Sequence, residues 1–158
     1  MKKIEIKKIK KSYAKDIAKI LSDKEILKTL NPVHPYPVPE SYIKDKISKD
    51  IKNWKTGQAY KFVITIDKKV AGQISLYRPN KNKKSYELGY FIGKDSWNKG
   101  IATIAVNEIL KFGFKKLNLN EIISKVSINN PASYKVLKKT GFKIIKKTNK
   151  KFIFKKKK

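Results

Sequence analysis

A glycine turn set between two different apolar patterns constrains this chain most. Before the turn, Tyr86, Leu88, Tyr90 and Ile92 alternate with Glu87, Gly89 and Phe91, which is the two-residue period of a strand. After it, the pattern predicts a helix over about residues 99–116. Its polar stripe is Thr103, Asn107, Lys111 and Lys115, and its other positions are nearly all apolar. Such a helix must be covered on most sides, so strand and helix have to pack as layers of one core. The unbonded N–H groups at the helix start, together with its dipole, make an anion site, and Gly100 lets the backbone approach a ligand closely. A glycine before a helix also simply shapes a turn, so this feature alone names no ligand.

The rest of the chain supplies further layers. Residues 3–9 alternate Ile4, Ile6 and Ile9 with charged residues, as a first strand would. Ser12 is a cap for a helix over about 13–22, with Ile17, Ile20 and Leu21 on one side. Prolines at 32, 35, 37 and 39 predict an extended loop. A second helix follows over about 40–54, with Tyr42, Ile43, Ile47, Ile51 and Trp54 as its stripe. Phe62, Ile64 and Ile66, then Ile74 and Leu76, read as strands joined at Asp67-Lys68-Lys69. A Lys- and Asn-rich loop from Pro79 to Lys84 leads to the Tyr86 strand. Ile122 to Ile128 is another strand. Asn130 caps a short helix with Pro131 at its first position, and Gly141 ends it. Phe142 to Ile145 and Phe152 to Phe154 form a closing hairpin. The expected fold is α+β, a mixed, mostly antiparallel twisted sheet with helices on both faces.

At 158 residues with 40% apolar composition, the chain is long enough for one core and is read as one domain, 1–158, with 155–158 as a frayed basic tail. No apolar run approaches the roughly 20 residues that span a bilayer, and the N-terminus lacks an apolar signal core, so a cytoplasmic protein is expected. There is no cysteine and one histidine, His34, which argues against disulfides, a zinc site and a Cys nucleophile; no metal is expected. The net charge of +28 first suggests nucleic acid as partner. Yet Arg78 is the only arginine among 40 basic residues. With Ile, Asn and Tyr also abundant, the pattern looks like A/T-rich codon usage as much as a selected surface, and readers of nucleic acid favour Arg. Non-specific polyanion attraction is expected rather than dedicated binding. Lys2, Lys3, Lys44, Lys46, Lys83, Lys84, Lys115, Lys116, Lys146 and Lys147 fall in different elements, as compositional charge would.

Two motifs then specify the chain further. Trp97 to Ala102 resembles the pyrophosphate loop of the GNAT N-acetyltransferases, in the form that starts with Trp. Asn130-Pro131-Ala132-Ser133, followed by Val136-Leu137 and Gly141-Phe142, resembles that superfamily's second signature, in the branch of ribosomal-protein alanine acetyltransferases and spermidine acetyltransferases. The two lie about 30 residues apart with the expected strand between them. The resemblance implies acetyl-CoA as cosubstrate. The backbone of Asn98, Lys99, Gly100, Ile101, Ala102 and Thr103, with Trp97, would hold its pyrophosphate. The strand at Tyr90, Phe91 and Ile92 would bulge and splay from Ile122–Ile128, and pantetheine would lie in the gap, touched by Asn130. A backbone N–H near Phe91 would polarise the thioester carbonyl. Ser133 would sit near the sulfur as general acid. Many relatives place a Tyr acid where this chain has Leu137, and this branch favours a Glu where it has Ile104.

Glu87 is the best carboxylate for receiving the amine proton; alternatively it is a strand Glu paired with a lysine. Asn130 serves as cap, as cofactor ligand or as both. His34 and Tyr36 lie where the resemblance implies the acceptor pocket, or else in a solvated connector. The reaction expected is direct attack by a primary amine in a ternary complex. A strongly basic protein repels a free polycation and suits an N-terminus in the anionic field of a ribosome, so a protein or peptide N-terminal amine is favoured. A polyamine or aminoglycoside acetyltransferase, or a non-catalytic polyanion- or ribosome-binding module, are the alternatives; a monomer or homodimer is expected.

Overall fold

The computed structural model describes residues 1–30, 34–80 and 85–158. Pro32 of the expected proline loop, and Lys83 and Lys84 of the expected Lys-Asn loop, lie outside those residues.

The strands are β1 (Ile4–Lys8), β2 (Ala59–Ile66), β3 (Lys69–Tyr77), β4 (Tyr86–Ile92), β5 (Glu121–Ser127), β6 (Lys143–Lys147) and β7 (Lys151–Lys157). The helices are α1 (Ala14–Leu21), α2 (Lys24–Leu27), α3 (Glu40–Thr56), α4 (Ile101–Lys111) and α5 (Pro131–Lys139). The sheet has seven strands in the order β1-β2-β3-β4-β5-β7-β6. Every neighbouring pair is antiparallel except β4 and β5. This is the expected α+β architecture.

The alternation along the strands divides the core in two. Phe62, Ile64, Ile74, Leu76, Tyr86, Leu88 and Ile92 join Ala105, Val106 and Ile109 of α4 and Leu137 of α5 in one cluster. Val63 from the other side of β2 joins Ile17, Leu21, Ile43 and Ile47 of α1 and α3 in a second, and Phe91 packs against it. Ile17 and Leu21, like Ile43 and Ile47, recur at the spacing that puts them on one helical face. The β2–β3 turn uses Asp67 and Lys68 at φ 49° and 71°, the two positive angles of a tight hairpin turn whose twist matches its strands.

Four local expectations change. Tyr13, not Ser12, is the N-cap of α1, because the chain enters the helix through a tight turn at Lys11–Tyr13. The helix expected to 116 ends regularly at Lys111 and continues as a wider π turn over Phe112–Lys116. Ile104 is exposed, so α4 is less fully buried than its composition suggested. Finally, residues 155–157 are not a frayed tail. They complete β7, pairing Lys155 with Ile123, Lys156 with Ile122 and Lys157 with Glu121, and Lys155 Nζ lies 3.2 Å from Glu121 Oε2.

Deleting residues 155–158 therefore removes ladder bonds at the edge of the β4–β5 junction. Denaturant unfolding should show a loss of about 1–3 kcal/mol, from a net of about 1 kcal/mol per hydrogen bond. An unchanged midpoint would return these residues to a frayed tail.

Candidate active site

The site starts where the sheet comes apart. β4 and β5 pair in parallel only at Tyr86↔Ile122 and Glu87↔Ile123. One further tie follows, as Ser124 Oγ donates to the Leu88 carbonyl at 3.0 Å. Past that point β4 keeps only its other neighbour. Its ladder to β3 runs without a shift from Tyr77↔Glu87 to Gly72↔Ile92. The strands thus splay as the resemblance implied, but the implied bulge in β4 is absent.

That regular ladder decides which amides face the gap. The Gly93 N–H donates to the Ala71 carbonyl at 2.7 Å, so Gly93 and Ala71 are a bonded pair. In an antiparallel ladder bonded pairs alternate, so Phe91 opposite Gln73 also points its N–H and C=O at β3. Tyr90 and Ile92 point theirs the other way, into the gap. The orientation of the Leu88 carbonyl, which meets Ser124, agrees. Phe91 is therefore corrected as the source of the polarising N–H: its amide is spent in the ladder, and the amide of Tyr90 faces the gap.

The Tyr90 side chain adds a second polar group there. Its hydroxyl is buried and makes no hydrogen bond. Burial raises the phenol pKa above its ordinary value, and the adjacent Ser133 hydroxyl partly offsets this, although the two do not meet hydrogen-bonding geometry. An orphaned buried hydroxyl costs free energy unless something fills it, so it marks a place for a ligand atom. Ser133 stands in the first turn of α5, where its N–H donates to Asn130 Oδ1 at 3.2 Å. Asn130 is thus the expected N-cap, with Pro131 at N1, and its side-chain NH2 remains to serve a ligand. Leu137, in place of the frequent Tyr, is fully buried in the core.

The turn from β4 into α4 forms the other wall. The Trp97 indole N–H donates to the Ile92 carbonyl at 2.8 Å and ties the turn to the end of β4. Lys99 Nζ donates to the Asp95 carbonyl at 2.6 Å. Asn98 and Gly100 take left-handed angles, φ 59° and 74°. Gly100 is the N-cap of α4, no side chain caps that helix, and its first turn carries no acidic residue. The first helical bond is Ile104 N–H to the Gly100 carbonyl at 3.2 Å, so the amides of Ile101, Ala102 and Thr103 point out of the helix end. A Cβ at Gly100 would meet no heavy atom within 4 Å, so the space before these amides is open. Ile101 anchors the turn with a side chain buried in the main core. The donor set fits a diphosphate: several converging N–H groups, a helix dipole and no competing carboxylate.

On the opposite face, under α1 and α3, lies a cavity of about 480 Å³. Gly89, Tyr90 and Phe91 form part of its wall, so it meets β4 at the residues that border the gap. His34 lines it, as expected, with Nδ1 3.3 Å from the Tyr42 hydroxyl. Tyr36 is 55% exposed, lies under Lys24 Nζ and is not among the lining residues. Glu87 is 7% exposed rather than open to solvent. It accepts from the Tyr77 hydroxyl at 2.9 Å and pairs with Lys125 Nζ at 2.7 Å. Tyr77 lines the cavity, and burial, then the Glu87 charge and hydrogen bond, push its phenol pKa up to about 12. Four residues of this region escaped sequence reading: Tyr77, Asp50, Lys61 and Arg78. Asp50 and Lys61 pair at 3.1 Å across α3 and β2, a contact no local pattern announces. Among the described residues, no group of three or more His, Asp or Glu is placed to hold a metal, and no helix is long and apolar enough to cross a membrane.

Comparison with known proteins agrees with this geometry. The model of the GNAT acetyltransferase domain family matches residues 3–143. An uncharacterized N-acetyltransferase, p20 of Bacillus licheniformis, is 30% identical over 137 residues, which are 85% of this chain and 76% of that protein. The chain belongs to the GNAT family, and it is an acetyl-CoA-dependent acetyltransferase. Two solved structures share the fold. The ribosomal-protein-S5-alanine acetyltransferase of Vibrio fischeri superposes with a TM-score of 0.85 at 22% identity, covering 98% of this chain and 92% of that one. Mycobacterium smegmatis RimJ, solved with CoA-disulfide, gives 0.86 at 19% identity, covering 98% and 81%.

Gly100→Glu should remove the stabilisation that acetyl-CoA gives, about 2.7 kcal/mol at a hundred times its Kd. The left-handed angle alone should cost the unliganded variant about 1–2 kcal/mol. A thermal shift equal to that of the parent would exclude the α4 turn from the cofactor site.

Proposed function

We propose that this chain transfers the acetyl group of acetyl-CoA to the N-terminal amine of a protein or peptide, such as a ribosomal protein, by direct attack in a ternary complex. One observation carries the reading. The stretch Gly89–Phe91 borders the splay on one side and walls the cavity on the other. A donor held in the gap and an acceptor held in the cavity therefore meet across a single strand. We take residues 1–158 as one domain acting in the cytoplasm.

Acetyl-CoA, when bound, supplies the acetyl group as a thioester. The first amides of α4 bind its diphosphate, and Trp97 and Asn130 border its path. The Tyr90 N–H donates into the gap, where it stabilises negative charge on a carbonyl oxygen. Ser133 Oγ and the Tyr90 hydroxyl each hold a proton beside the place that a leaving sulfur takes in this family. Tyr77 presents its hydroxyl to the cavity and hands its proton to Glu87 as it accepts one from the amine. Glu87 thus acts through Tyr77, and Lys125 steadies its charge. His34, with the Tyr42 hydroxyl 3.3 Å from its Nδ1, forms part of the wall for the acceptor. The cavity's cationic lining, Lys46, Lys61 and Arg78 against Asp50, disfavours a polyamine or aminoglycoside.

An acceptor screen with short peptides, polyamines and aminoglycosides tests this. Peptide N-termini should be acetylated and polycations spared. Ser133→Ala and Tyr90→Phe should each lower kcat about 10- to 100-fold, with a smaller change in acetyl-CoA affinity. Acetylation confined to polyamines would contradict the acceptor class. Full activity in the double variant would leave the departing thiolate to solvent.

A further inference from the structure

We infer that Gly89 sets the width of the acceptor site, and that the attacking amine and the branched carbon carrying it lie over this residue. The inference rests on the peptide-acceptor reading above and adds where the first residue of the peptide sits. Gly89 is a glycine that the fold does not require. The chain has seven glycines. Gly57, Gly100 and Gly141 take left-handed angles, φ 72°, 74° and 92°, which favour glycine. At Gly72 and Gly113 a Cβ would collide with the Phe91 carbonyl and with the Ile122 side chain, and at Gly93 it would crowd the Ala71 carbonyl at 3.3 Å.

Gly89 differs from all six. Its φ is not left-handed. A Cβ there would meet only Tyr77 Cε1 at 3.4 Å and Ser75 Oγ at 4.0 Å, which is ordinary contact. A glycine inside a strand weakens it, and marks either a bulge or a close approach by a ligand or another backbone. The β3–β4 register runs unbroken through Ser75↔Gly89, so there is no bulge in this pairing. Among the described residues, no backbone atom other than those of its chain neighbours lies within 4 Å of the missing Cβ. What remains is the approach of a ligand.

The position of Gly89 says which ligand. Alternation turns residue 89 to the same face as Glu87 and Phe91, and Ser75, Tyr77 and Phe91 line the cavity together with it. The next residue is Tyr90, whose N–H faces the gap on the other side of the strand. The missing side chain is therefore cavity space at the point where one strand separates the cavity from the splay. An N-terminal α-amine stands on a carbon that also carries a side chain, so it is wide close to the nitrogen. It needs a clear strand there. The end of a polyamine carries its amine on an unbranched methylene and needs less room.

The test is Gly89→Ala, read with two peptides that differ only in their first residue, Ala or Gly. The added methyl takes the space of the peptide's own branch. The kcat/KM for the Ala-initiated peptide should fall about tenfold, and that for the Gly-initiated peptide should fall clearly less. Because a Cβ fits the fold, Gly89→Ala should melt at or above the temperature of the parent and keep the thermal shift that acetyl-CoA gives. Equal losses for the two peptides, or no loss on the Ala-initiated one, would overturn the inference and leave peptide acetylation standing. A melting temperature well below that of the parent would return Gly89 to a structural role and overturn it as well. A parent protein that acetylates spermidine and neither peptide would remove the peptide-acceptor reading, and this placement of the acceptor with it.

Discussion

The structure turns on how little β4 and β5 hold each other. Two residue pairs, one serine side chain and the Glu87–Lys125 ion pair join the halves of the sheet; beyond them the strands diverge. An open edge inside a sheet exposes unpaired N–H and C=O groups, which is costly unless something satisfies them. Here the Trp97 indole satisfies the Ile92 carbonyl, and the groups of Tyr90 are left facing the gap. The fold tolerates this because each half is anchored elsewhere. β4 is fully laddered to β3, and β5 to β7 down to Lys157. The C-terminal lysines are thus part of the frame that keeps the gap open.

The two sides of the gap divide the work by chemistry. On the α4 and α5 side, backbone amides and small hydroxyls dominate, and left-handed Asn98 and Gly100 turn the amides outward. That arrangement fits phosphate and thioester groups. On the α1 and α3 side, charged side chains and their pairs dominate. On the function proposed, shape and dipoles would hold the donor, and charge would bear on the choice of acceptor. The overall charge of +28 adds a long-range attraction to anionic surroundings, but salt screens it, and it bears on arrival rather than on chemistry.

Much of this was legible where the cause is local. The Asn130-Pro131 cap, the left-handed glycine at Gly141 and the alternation of β4 each follow from residues within a few positions, and each stands as expected. The glycine turn at Gly100 was legible for the same reason. What was not legible depends on partners distant in the chain. Lys155 to Lys157 read as a solvated run because nothing nearby shows β5 waiting for them. Asp50 looked like another polar position on α3 until β2 brought Lys61 against it. Phe91 looked like the polarising residue, but the parity of the β3 ladder turns its amide toward β3 and the Tyr90 amide toward the gap, and parity is fixed only when Ala71 and Gly93 are known to bond. The lone arginine was visible in the sequence as a fact of composition; its place at the cavity was not.

The central claim is that the Tyr90 amide, not that of Phe91, faces the bound thioester. Hydrogen exchange resolved to single residues tests it directly. Phe91, bonded in the β3 ladder, should be protected with or without ligand. Tyr90 should exchange faster in the free protein and gain protection when acetyl-CoA binds. Protection of Tyr90 that is already full in the free protein and does not change with acetyl-CoA, or a ligand-dependent gain at Phe91 instead, would contradict the account.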